Sequence, residues 1–175
     1  QFAAIAGGGY HNLAIDTAGT VWAWGYNYYG QLGDGTTTDS SIPVQVTGLT
    51  GEVIAIAAGT SHTIALKSDG TVWAWGNNNK GQLGDGTGVN KSTPVQVTGL
   101  TGVTAIACGF VHTIALKNDG TVWAWGDNSY GQLGQGEKTP NKPIPVQVKG
   151  LTAVIAIAGG GYHTIALKND GTVWT

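Results

Sequence analysis

The chain has 175 residues, a formal net charge of −2, 30 Gly, 7 Trp and no Met, and only 10% of its residues are charged, against about 25% in an ordinary globular domain. All eight basic residues are Lys, which disfavours binding of nucleic acid, since that needs a basic patch and usually guanidinium forks. No apolar run approaches the ~18 residues of a membrane-spanning helix, and a single cysteine, Cys108, excludes an intrachain disulfide and a cysteine-type zinc site. From Gln1 on, the sequence shows no charged and then apolar leader, so any signal segment is expected to have been removed or never to have belonged here. The compartment stays open, with a secreted or bacterial cell-surface setting one expectation from the low charge.

In chain order, one pattern comes round four times. It runs HNLAIDTAGTVWAWG from His11, HTIALKSDGTVWAWG from His62, HTIALKNDGTVWAWG from His112 and HTIALKNDGTVW from His163, and these histidines lie 51, 50 and 51 residues apart. GQLG follows at Gly30, Gly81 and Gly131, and PVQV starts at Pro43, Pro94 and Pro145. The whole chain is therefore a single repeat array, with units at about 1–51, 52–101, 102–152 and a partial 153–175.

Each unit reads as four short strands, because its apolar runs are brief and are separated by Gly, Asp, Asn and Pro. In the second unit strand a is expected over 53–58, strand b over 63–67, strand c over 71–75 and strand d over 95–97. Asp69-Gly70 supplies the tight b–c turn, and Pro94, just before strand d, marks an outer edge. A four-stranded sheet of ~50 residues cannot cover both its faces, so such sheets stack around an axis. The expected fold is an all-β propeller of four-stranded antiparallel blades, about three and a half per chain.

Kelch repeats and the shorter WD repeats share this blade logic, but no Trp-Asp dipeptide occurs. The pattern A-x-G-x-x-H-T-x-A-L-K-x-D-G-T-V-W-A-W-G-x-N-x-x-G-Q-L-G-x-G closely resembles the regulator of chromosome condensation repeat, over essentially the whole chain. That resemblance implies a propeller, commonly seven-bladed, acting as a binding platform. The family's founder is an exchange factor for a nuclear GTPase and docks on nucleosomes, and a bacterial relative inhibits β-lactamases. The founder's chromatin docking relies on Arg and a basic tail and its exchange activity on an inserted wedge, neither of which this sequence carries.

The array suggests an open arc with apolar blade faces at its ends, so a homo-oligomer is expected, either a homodimer that closes the ring or a fragment of a longer protein whose exposed blades associate edge to edge. An exact two-fold needs an even blade number and favours roughly eight.

Little of the sequence points to catalysis. The four histidines recur at blade-to-blade spacing, ~10 Å or more, too far apart to share a metal ion, and are expected to make structural hydrogen bonds at the a–b turn. Cys108 corresponds to Gly7, Ala58 and Gly159, positions that ask only for a small residue. Asp34 and Asp85 read as turn stabilisers rather than calcium ligands, since Gln135 takes their place in the third unit. The pairs Trp22/Trp24, Trp73/Trp75 and Trp123/Trp125 recur in every full unit, which favours packing between blades over a carbohydrate platform. No cofactor, metal or catalytic constellation is indicated.

Function is expected where the units differ, in loops held by a rigid frame. The candidate partner-binding residues are Tyr10, Tyr26, Tyr28, Tyr29, Asn78, Lys80, Phe110, Asp127, Tyr130 and Tyr162, aromatic anchors among small polar neighbours. The variable c–d loops are 36–42, 87–93 and 137–144. These features fit a non-enzymatic scaffold that binds another protein through one face. The alternatives are a glycan-binding module using aromatic stacking, or an engineered or amplified array with no evolved ligand.

Overall fold

The computed structural model describes residues 1–136, 138 and 140–175. Glu137 and Thr139, part of the third variable c–d loop, lie outside the described residues. Among the described residues, fifteen strands form four sheets. The first holds β1 (Phe2–Gly7), β2 (His11–Asp16), β3 (Val21–Gly25) and β4 (Ser40–Gln45). The second holds β5 (Val53–Ala58), β6 (His62–Lys67), β7 (Val72–Gly76) and β8 (Lys91–Gln96). β9 (Val103–Cys108), β10 (His112–Lys117), β11 (Val122–Gly126) and β12 (Lys142–Gln147) make the third. The last holds β13 (Val154–Gly159), β14 (Thr164–Lys168) and β15 (Val173–Trp174).

Within every sheet the strands pair antiparallel in sequence order, the pattern of a propeller blade. The first strands of neighbouring blades meet one another, β1 with β5, β5 with β9 and β9 with β13, so they line the axis while β4, β8 and β12 form the rim. Asp-Gly turns close the b–c hairpins of the second, third and fourth blades: Asp69 Oδ1 accepts the Thr71 backbone N–H, and Gly70 holds φ of 78°.

The rim strands differ from the sequence expectation. β8 begins at Lys91 and carries Pro94 inside it, rather than starting after the proline. This is tolerated because β8 pairs only with β7, through Trp73–Gln96, Ala74–Val95 and Gly76–Lys91 around a bulge, and needs no donor on its outer side. β6 also begins one residue earlier than expected, at His62, and β7 is shifted one residue on, to Val72–Gly76.

The core lies between blades. Leu13, Ile15, Val21, Leu32 and Val46 of the first blade pack against Val53, Ala65 and Trp75 of the second. Ile64, Leu66, Val72 and Leu83 pack in the same way against Val103, Ala115 and Trp125, and Ile114 and Leu116 against Val154 and Ala166. Burial of each such Val, Leu or Ile side chain contributes about 1.5–3 kcal/mol. No helix among the described residues is long and apolar enough to cross a membrane.

Candidate binding face

The rigidity of the face comes from a hydrogen-bonded clasp repeated between blades. Thr63 Oγ1 donates to the Gln31 carbonyl at 2.9 Å, so the Thr63 hydroxyl oxygen must accept at its other side, where His11 Nε2 lies 2.7 Å away. The imidazole proton therefore sits on Nε2. Trp75 Nε1 donates to the same Gln31 carbonyl at 3.0 Å. The next interface repeats the arrangement with His62, Thr113, Trp125 and the Gln82 carbonyl, and His112, Thr164 and the Gln132 carbonyl follow.

The expected histidine role is thus refined. The imidazoles of His11, His62 and His112 start strand b but bond across to the next blade rather than within their own a–b turn, whereas His163 precedes β14. Burial lowers the His11 and His112 pKa values from 6.5 to about 4 and that of His62 to about 3, which keeps these rings neutral. The clasp's other half, the Gln carbonyl, escaped the sequence reading: the recurring GQLG marks its position, but a backbone oxygen leaves no signature of its partners.

Trp75 and Trp125 are fully buried between blades, whereas Trp73 is half-buried under Lys67, whose Nζ stands 5.5 Å from the ring centroid. The Cys108 side chain packs beside the second interblade core, and burial pushes its thiol up, away from reactivity. Asp85 serves its loop as expected, accepting from the Thr87 backbone and hydroxyl and pairing with Lys91 at 3.8 Å. Among the described residues no group of three or more His, Cys, Asp or Glu could hold a metal ion.

The a–b and c–d loops emerge at the same end of each blade, because strands a and c run toward it and b and d away from it. Tyr26 N donates to the Tyr10 carbonyl, joining the two loops. Two aromatic clusters result. Tyr10 meets Tyr26 edge-on at 6.0 Å, Tyr26 and Tyr28 lie near parallel at 6.3 Å, and Tyr29 closes edge-on to Tyr28 at 5.0 Å. On the later blades Tyr162 contacts Phe110 at 5.4 Å and Tyr130 at 5.0 Å. A cleft of about 500 Å³ opens beside the first cluster, lined by Tyr10, Tyr26, Tyr29, Ser61, Asn77 and Gln82 among others.

Two of the ten candidates face inward. Asn78 is fully buried; its side-chain amide donates to Asp85 and to the Thr87 and Val89 carbonyls, while its oxygen accepts from Leu83 N. Asp127 is also buried, accepting from Gln132 Nε2 and the Ser129 hydroxyl. Both organise loops, a role that short polar residues at turns share with binding residues in sequence. Lys80 is exposed, with Nζ 3.6 Å from Asp127.

The profile of the RCC1-like domain matches residues 1–165. The chain belongs to the RCC1-like domain family. Among curated relatives it is 36% identical to the human E3 ubiquitin-protein ligase HERC2 over 177 residues, which cover 98% of this RCC1-like chain and 4% of that protein. Among solved structures it superposes on human WBSCR16 with a TM-score of 0.88 and 25% identity, covering 99% of this chain and 46% of the other. Yeast RCC1 (Prp20), in its complex with Kap60, matches with a TM-score of 0.82 and 30% identity, over 98% and 42%. The RCC1-like chain thus spans less than half of each of these relatives.

Proposed function

We propose that this RCC1-like chain is a non-enzymatic scaffold that binds another protein through the a–b and c–d loops of one face, and that a second copy completes its ring. The observation that carries the reading is the gathering of Tyr10, Tyr26, Tyr28, Tyr29, Phe110, Tyr130 and Tyr162 at the same end of clasped, closely packed blades. Large rigid aromatics on a fixed frame lose little entropy on binding and are typical protein-binding anchors. Yeast RCC1, bound to Kap60, is a protein-binding relative. Self-association is supported by the apolar residues left exposed on the outer face of the first blade, Ile5 at 81% and Phe2 at 51%.

Affinity capture with the wild-type chain and with a Phe110→Ser/Tyr130→Ser/Tyr162→Ser variant tests the face. A protein retained saturably by the first and lost by the second is expected; the same retention by both would overturn the reading.

A further inference from the structure

The first blade departs from the others at several positions that come together on the face. Tyr26 stands where the next blades have Asn77 and Asp127, which accept from Gln82 Nε2 at 3.1 Å and Gln132 Nε2 at 2.8 Å. Gln31 Nε2 consequently has no acceptor, although Gln31 is fully buried and its oxygen still accepts from Tyr29 N. Tyr28 replaces Asn79 and Ser129. Asp39 replaces Asn90 and Asn141; all three accept the same loop N–H, from Asn27 at 2.7 Å, Asn78 at 2.8 Å and Asn128 at 3.4 Å. Asparagine suffices for that bond, so the added charge of the exposed Asp39 is not required by the loop.

Charge separates this blade further. Residues 1–51 contain Asp16, Asp34 and Asp39 and no Lys or Arg, and no Lys lines the adjoining cleft. Tyr26 stands within electrostatic reach of Asp39, which accepts from Asn27 N but forms no ion pair with a lysine among the described residues, so ring quadrupoles and carboxylate together suit a positive charge. The rings also stand as walls, Tyr10 at 69° to Tyr26 and Tyr28 at 87° to Tyr29. A compact cationic head can rest against the outer face of one such wall, whereas the flat face of a sugar ring wants a level platform.

We propose that Tyr10, Tyr26, Tyr28 and Asp39 form a docking site for a lysine or arginine side chain of a basic peptide segment. The proposal rests on the reading of this face as protein-binding and names the chemistry of what it takes. The test titrates the chain with a fluorescein-labelled Arg/Gly peptide, with Glu/Gly and Ser/Gly peptides as controls, and follows anisotropy. The variants are Tyr26→Asn, Tyr28→Asn and Asp39→Asn, each installing a residue the second blade carries at that place, so the loops keep their hydrogen bonds.

The Arg/Gly peptide should bind selectively and more weakly as salt rises, and the triple variant should lose about tenfold in affinity. Asp39→Asn alone should flatten the salt dependence. Equal affinity of the triple variant, equal binding of the Glu/Gly peptide, or displacement of the Arg/Gly peptide by a neutral oligosaccharide would overturn the proposal. Failure here with the Tyr130/Tyr162-dependent capture intact removes this site alone. Loss of that capture with peptide binding intact removes the broader reading instead.

Discussion

His62 shows how much one side chain carries. Its Nε2 is 3.1 Å from Thr113 Oγ1, its Nδ1 is buried without a donor, and the ring is held neutral with a pKa of about 3. Protonation therefore favours the unfolded chain, where histidine keeps its ordinary value of about 6.5. The stability contributed by neutral His11, His62 and His112 is complete above about pH 6.5 and falls as the pH drops toward about 4, by at most ~1.4 kcal/mol per pH unit for each ring. The Asp69 and Asp119 carboxyls, held low first by the Thr71 and Thr121 hydroxyls, add their losses only below that window. Urea midpoints should be flat above about pH 7 and decline between about 6.5 and 4.5; a midpoint unchanged across that range would refute neutral clasps. Tyr26→Asn offers Gln31 Nε2 the acceptor it lacks and should raise stability by about 1 kcal/mol in the same assay.

Between elements, the contact that sets blade spacing is a tryptophan against a glycine. Gly33 holds φ of 72°, and a Cβ there would lie 2.6 Å from Trp75 Nε1, the atom bonded to the Gln31 carbonyl. Gly33→Ala should cost about 2–4 kcal/mol, combining backbone strain with displacement of a buried indole. Near-ultraviolet circular dichroism and the denaturation midpoint would report it; a neutral substitution would mean that the indole moves freely. The rim strands are more forgiving. Because β4 has one partner and its Pro43 is exposed, Pro43→Val should shift stability by less than about 0.5 kcal/mol, and a larger loss would show that Pro43 does more than occupy an edge.

At the scale of the molecule, each blade hides one face on its predecessor, and the first blade has no such partner within residues 1–175. Ile5, equivalent to the half-buried Ile56 of the second blade, is 81% exposed. If a second copy covers it, light scattering on a sizing column should give the mass of two chains over a range of concentrations, and Ile5→Asp should return the mass to one. A wild-type chain that stays at one mass when concentrated would remove the dimer.

The sequence by itself determined the blades. A 50–51-residue period, apolar runs of strand length and Asp-Gly turns are local signals, and strand pairing within a blade follows from them because each hairpin is short. It also located the variable loops, since repetition makes any departure conspicuous. Only the tertiary structure decided which loop residues face out. Asn78 and Tyr28 are neighbours in one kind of loop, yet one is spent on internal carbonyls and the other is exposed. It likewise decided that the histidines clasp neighbouring blades, and that Gln31 lacks an acceptor beneath Tyr26. The clasp joins residues 31 to 52 apart in sequence, and the loop outcomes turn on backbone carbonyls, which every residue possesses and no sequence pattern distinguishes.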